Sequence, residues 1–209
     1  MAPADRGLFI TLEGGEGAGK STQAQAVAKQ LRKRRFVICV TEEPSRTWVG
    51  RTVRSLLSQP EGEAAPLAPL AELFLFEADR AQHVNQIIRP ALTRGEMVIC
   101  DRFTDSSLAY QGFGRGIDLT LIRTLNDVAT GGLKPDLTLL LDVAPEIGLS
   151  REGDQFDVTG REHLEFHKRV REGFLQLAKE EPDRFVVIDA TFPLAELLRH
   201  SMAAVERLL

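Results

Sequence analysis

At 209 residues the chain suits a single domain, 1–209, and is long enough to bury a core that needs no covalent staples. Its 43% hydrophobic and 27% charged residues are ordinary for a globular protein, and a formal net charge of −4 argues against nucleic acid or an anionic membrane surface as the main partner. Cys39 and Cys100 sit in apolar runs and read as buried strand thiols with no disulfide framework, no apolar run approaches ~18 residues, and Met1–Gly7 lacks a leader-like core, so a soluble, cytoplasmic protein is expected.

Five short apolar runs mark strands: Leu8–Glu13, Val37–Glu42, Met97–Asp101, Leu137–Val143 and Arg184–Asp189. Each is continuous rather than alternating, the pattern of strands covered on both faces of a parallel sheet. The first leads into Gly14-Gly15-Glu16-Gly17-Ala18-Gly19-Lys20-Ser21, followed by Thr22. This matches G-x-x-x-x-G-K-[ST] in full, between a strand and a helix, as the motif demands. Glycines let successive N–H groups turn toward one anion, and the helix adds its positive end. Lys20 then reaches the β- and γ-phosphates, while the Ser21 hydroxyl ligates Mg²⁺. Ala24, Val27, Ala28 and Leu31 give that helix an apolar stripe. The basic run Lys29–Arg35 complements its C-terminal dipole.

Strand two runs into Glu42-Glu43-Pro44, with Trp48 and Arg54 beyond. Pro60, Pro66 and Pro69 mark loops. A looser helical stripe passes through Leu73, Phe76, Val84, Ile87 and Ile88. Strand three ends in Asp101-Arg102, at the carboxyl edge where doubly wound sheets bind ligands. Asp101 suits a magnesium-bound water, and Arg102 can grip a phosphate with two N–H groups. Gly112, Gly114, Gly116 and Gly131-Gly132 again predict loops. Arg151–Arg161 is short and polar and is read as a flap over the site; Phe166, Val170, Phe174, Leu177 and Ala178 form a last stripe. His163 and His167 fall on one helix face, read as exposed because no third metal ligand is in view.

Strand and helix in alternation predict a doubly wound α/β fold with a five-stranded parallel sheet. Two unit charges ~5 Å apart repel by about 3 kcal/mol at an effective dielectric near 20, so a donor triphosphate facing an acceptor monophosphate needs cations on both sides. Lys20 and magnesium answer on the donor side; Arg102, Arg54 and Arg80 are the acceptor-side candidates.

With these residues in view, the chain resembles the bacterial thymidylate kinases. The resemblance rests on the P-loop with Glu16, Glu43-Pro44 with Arg54, the run Phe76–Arg80, the run Asp101–Gly112, and Lys134-Pro135-Asp136 leading to Leu141-Asp142-Val143, and it spans about residues 8 to 208. It implies transfer of the γ-phosphate of ATP to dTMP with Mg²⁺, in a P-loop nucleoside monophosphate kinase fold that forms homodimers and has its lid near 151–161. It further implies that Phe76 stacks on thymine, Arg80 donates to its exocyclic oxygen, and Ser107 and Gln111 read the base edge. Arg54 and Arg102 would hold the 5′-phosphate, with Glu43 beside them. Glu16 would face the sugar and the reacting phosphate, and Tyr110 would wall the sugar.

Three departures stand out. Where the family usually shows Arg-Glu-Pro-Gly-Gly-Thr, this chain has Glu42-Glu43-Pro44-Ser45-Arg46-Thr47. No arginine lies between Gly14 and Lys20, a form that relies on one delivered by the lid. The lid itself is short, and its usual Asp-Arg pair reads Asp157-Val158. Arg151 or Arg161 is therefore the candidate phosphoryl-stabilising arginine. A kinase for another nucleotide or nucleoside, a nucleotide-binding regulator with impaired catalysis, and an NTPase acting on a protein partner remain the alternatives.

Overall fold

Five strands pair in parallel in the spatial order second, third, first, fourth, fifth, which puts the first at the centre of the sheet. The computed structural model describes residues 6–58, 67–152 and 164–209. The strands are β1 (Phe9–Glu13), β2 (Ile38–Glu42), β3 (Met97–Asp101), β4 (Leu137–Asp142) and β5 (Phe185–Asp189), each within a residue or so of its predicted bounds. Helices α1 (Lys20–Lys33) and α9 (Leu194–Glu206) cover one face, packed on Ile10, Leu12, Ile99, Leu139 and Leu141. Alternate side chains of the same strands point the other way: Leu140 and Phe185 meet α8 (Leu164–Glu180), while Phe9, Val98 and Cys100 meet α4 (Arg89–Thr93). Each fully buried Leu, Ile or Phe contributes about 1.5–3 kcal/mol, so these layers fix the sheet and with it the strand ends.

Two strands depart from the expected double cover. β2 and β5 are edge strands and only partly buried, with Val187 49% exposed, and Cys39 on β2 is half-buried where a fully buried thiol was expected. A continuous apolar run does not say which strand lies at the edge. Cys100, on β3, is buried as expected.

Several expected loops are helical. Pro69 opens α3 (Pro69–His83), where its missing N–H costs nothing. A wide π-helical turn, Val84–Ile88, then joins α3 to α4, and the Arg89 amide bonds Val84 O five residues back, just before Pro90. Gly112 and Gly114 lie in a second π-helical stretch, Leu108–Gly114, that follows α5 (Thr104–Ser107). They serve close packing instead of a turn: a Cβ on Gly112 would meet Leu119 at 2.4 Å, and one on Gly114 would meet Phe166 at 2.5 Å. The remaining helices are α2 (Trp48–Leu57), α6 (Leu119–Thr130) and α7 (Pro145–Glu152).

Candidate active site

The loop from β1 to α1 is shaped by glycines that no other residue could replace cheaply. Gly17 has φ +64°, and a Cβ there would lie 1.9 Å from Gly148 O; Gly14 has φ +141° and would meet Leu141 O at 2.4 Å. Gly19, at φ 84°, precedes α1 without any side-chain cap, so the first amides of the helix are left for an anion. Lys20 is buried and donates to Gly14 O (3.1 Å) and Gly15 O (2.7 Å), folding its charge back over the loop. Burial, with Arg102 nearby, lowers its pKa to about 8. Gly17, Gly19, Lys20, Ser21 and Thr22 line one cavity of 320 Å³ with Asp101 and Arg102. Ala18 is buried beneath the loop, and Gly15 enters through its carbonyl.

The Ser21 hydroxyl donates to Asp101 Oδ2, while Asp101 Oδ1 is buried without a partner among the described residues. An orphaned carboxylate oxygen beside a P-loop serine fits a hard cation or one of its waters. Among the described residues no cluster of three His, Cys, Asp or Glu side chains is poised to hold a metal.

Arg102 faces Glu16 from the end of β3. One of its nitrogens, Nη2, lies 2.8 and 2.9 Å from the two Glu16 oxygens, and Tyr110 Oη donates to Glu16 Oε1 at 2.9 Å. The guanidinium also sits 5.0 Å above the Tyr110 ring centre. Burial alone would raise the Glu16 pKa, but Arg102 and Lys20 outweigh it and bring it down to about 2. Burial and the neighbouring Glu16 charge push the Tyr110 hydroxyl well above its ordinary value. Behind this pair Glu13, fully buried, accepts from Phe103 N (2.7 Å) and Ser106 Oγ (2.6 Å) and so ties down the turn that carries Arg102.

A second cavity, of 330 Å³, is lined by Phe76, Arg80, Ser107, Tyr110 and Gln111 from α3, α5 and the π-helical stretch. It shares Glu16, Glu43, Arg54 and Arg102 with the first. The two chambers therefore meet at two carboxylates and two guanidinium groups. Phe76 is only partly buried and is a wall of this chamber, not a core residue. Arg54 donates to Pro44 O and lies 3.6 Å from Glu42, half exposed.

Arg80 is 1% exposed and spends all five N–H donors on the protein: Glu43, Glu77, Asn126, Ser107 Oγ and Phe103 O. It borders the cavity as the centre of a buried ionic network. Glu43 also receives His83 Nδ1, whose Nε2 pairs with Thr41 Oγ1.

Arg151 lies on α7, not in the polar segment after it, and its Nη1 reaches Gly17 O (3.2 Å) and Ala190 O (3.1 Å) beside the P-loop. Arg161, His163, Asp157, Val158, Pro60 and Pro66 lie outside the described residues. His167, expected on an exposed face, is buried with its ring edge-on to Phe166 at 5.3 Å. Trp48 begins α2, 65% exposed.

Residues 12–201 match the family model described as thymidylate kinase. The chain belongs to the thymidylate kinase family. The thymidylate kinase of Synechococcus sp. (strain JA-3-3Ab) is 56% identical over 185 residues, 88% of this chain and 87% of that protein. That of Desulfosudis oleivorans is 48% identical over 209 residues, 96% of this chain and 97% of the other. The crystal structure of thymidylate kinase from Ehrlichia chaffeensis superposes with a TM-score of 0.78 at 35% identity, over 96% and 98% of the two chains.

Against the usual family pattern, Glu42 stands where an arginine is expected. Arg46 lies 2.9 Å from it and Arg54 3.6 Å, so two cations answer the added acid. The sequence reading missed Glu13 and Glu72. Each is a lone acid in an apolar stretch, and only tertiary contacts give it meaning.

Proposed function

We propose that the two chambers hold ATP and dTMP head to head, with the γ-phosphate passing in line to the 5′-phosphate of dTMP. As a member of the thymidylate kinase family the chain is an ATP-dependent kinase that forms dTDP from dTMP. The observation that carries the reading of the site is the shared wall of Glu16, Glu43, Arg54 and Arg102 between a P-loop chamber and one lined by Phe76 and Gln111.

On this reading the P-loop amides and Lys20 cradle the β- and γ-phosphates, and Arg102 and Arg54 grip the acceptor phosphate. Arg102 exchanges Glu16 for that phosphate, leaving Glu16 and Tyr110 against the sugar. Phe76 stacks on the base; Ser107 and Gln111 read its edge, with Arg80 beside them. Ser21 and Asp101 would hold magnesium, which when bound would offset the negative charge of the donor phosphates. Arg151 or Arg161 supplies the remaining cation, a part worth ~10³–10⁵ in rate in related P-loop enzymes. Catalysis is positioning and charge stabilisation, with no covalent intermediate.

We also infer a homodimer. The exposed apolar side chains Leu70 and Phe74 on α3 and Leu121 and Val128 on α6 support it, and light scattering of wild type against F74D with V128D tests it. Among the described residues no helix is long and apolar enough to cross a membrane.

The deciding assay couples ADP release to dTMP, dUMP, dCMP, dGMP and thymidine, with Lys20→Ala as the inactive control. dTMP is expected to lead. Faster turnover of thymidine than of dTMP would overturn the phosphate clamp. A loss of under tenfold in kcat for both R151A and R161A would remove the lid-side arginines from the mechanism.

A further inference from the structure

Gln111 carries an amide, and an amide can face a ligand with either of two chemistries. Its NH₂ group donates and its carbonyl accepts, so the meaning of a glutamine in a base-binding pocket depends on what holds it from behind. Here that group is Glu72, in the first turn of α3, whose Oε1 receives Gln111 Nε2 at 2.6 Å. Arg115 clamps the same carboxylate from its far side, with Nε 3.0 Å from Oε1 and Nη2 2.8 Å from Oε2. The helix N-terminus further favours a negative group at Glu72.

A carboxylate paired to a guanidinium only accepts hydrogen bonds, so it admits the NH₂ end of Gln111 and repels the carbonyl end. The amide is thereby fixed in one sense. Gln111 Oε1 has no protein partner among the described residues and is the group left to the cavity that Gln111, itself 3% exposed, helps to line. Ser107 is treated likewise: Arg80 Nη2 donates to its oxygen at 3.0 Å, leaving the hydroxyl hydrogen to donate.

We propose that Glu72, backed by Arg115, is a positioning residue for base selection, because it locks Gln111 with its carbonyl oxygen toward the nucleobase. The pocket then presents an acceptor to a ring N–H and a donor to the adjacent exocyclic oxygen. That is the edge of thymine, with its N3–H and O4. Cytosine offers the reverse, a bare N3 and an amino group, and leaves buried groups unpaired. The inference rests on Gln111 reading the base edge as proposed above.

The test compares dTMP with 5-methyl-dCMP, which keeps the methyl group, sugar and phosphate and inverts only that edge. Steady-state constants for wild type, E72Q and Q111A are measured along with melting temperatures. The amide introduced by E72Q can meet either end of the Gln111 amide, so this variant is expected to lower the dTMP over 5-methyl-dCMP ratio of kcat/KM at least tenfold. The change should enter through the KM of the acceptor, with the KM for ATP and the melting temperature close to wild type. A ratio that stays at the wild-type value in E72Q while Q111A collapses it would overturn the role of Glu72 and leave Gln111 as the reader. A wild-type ratio in Q111A would defeat the reading of Gln111 and the proposal with it. Equal losses for both acceptors in E72Q, accompanied by a lower melting temperature, would mark Glu72 as merely structural and also overturn it.

Discussion

Arg102 holds Glu16 from a backbone in the left-handed region, at φ 68°, with a single nitrogen 2.8 and 2.9 Å from both carboxylate oxygens. A non-glycine residue in that region costs roughly 1–2 kcal/mol, so the turn is retained against its own preference. The return is a guanidinium at the junction of the two chambers, already holding an anion where the proposed reading seats the acceptor phosphate. Arg102→Ala should reduce kcat/KM for dTMP by ~10²–10³, about 2.7–4 kcal/mol of transition-state stabilisation. Arg102→Lys should recover only part, because an ammonium cannot reproduce the planar fork. Steady-state kinetics decide it; activity of R102A within tenfold of wild type would count against the grip.

Arg80 predicts a stability effect instead. Its removal strands Glu43 and Glu77, both buried, without their cation. Truncating one member of such a network costs about 3–5 kcal/mol. Urea unfolding of Arg80→Ala should show a loss of that order. R80K, with three donors in place of five, should fall between it and wild type.

Asp101 should tune the metal requirement. Its Oδ2 takes the Ser21 hydroxyl, and its buried Oδ1 has no partner among the described residues. Changes at groups that support a metal's ligands typically cost 10–100-fold in affinity. Asp101→Asn should therefore raise the magnesium concentration for half-maximal rate by about tenfold or more, read from a magnesium titration at saturating ATP and dTMP. An unchanged midpoint would remove Asp101 from the metal's surroundings.

Glu13 should make stability fall with pH. Burial first, and then the neighbouring Asp105 charge, raise its pKa to about 8, against the hydrogen bonds from Ser106 and the Phe103 amide and the attraction of Arg102. The folded protein thus binds this proton more tightly than the unfolded chain. The stability so gained is full below the ordinary value of 4.5 and is lost as pH rises through about 8. Glu13→Gln does not titrate there, so the melting temperature of E13Q relative to wild type should climb between pH 6 and 9. A constant difference across that range would show that Glu13 is already ionised in the folded protein at pH 6.

Much of the scaffold could be read in advance because its signals are local. The P-loop is contiguous, its context is one strand and one helix, and Gly14, Gly17 and Gly19 all adopt the positive φ that a curled loop needs. The strands were legible from their apolar runs. The rest was hidden where meaning depends on distant partners. Nothing in the run Phe76–Arg80 says that Arg80 would spend all its donors on Glu43, Glu77, Asn126, Ser107 and a carbonyl. Gly112 and Gly114 read as turn residues because the sequence does not reveal that Leu119 and Phe166 press against their bare Cα atoms. Glu72 lies 39 positions from Gln111, and Glu13 lies 90 from Phe103. Single acids at such separations carry no periodic signature.

The common partition between the chambers limits how this enzyme can be altered. Glu16, Glu43, Arg54 and Arg102 each line both spaces, so on the proposed reading a change at any of them should shift the Michaelis constants of donor and acceptor together. The same reading leaves independent control to the outer ends: Phe76 and Gln111 for one nucleotide, Thr22 and its neighbours for the other. A redesign for a new acceptor base, or an inhibitor meant to spare other ATP users, has to be anchored at the Phe76 end and stop short of the shared guanidinium pair.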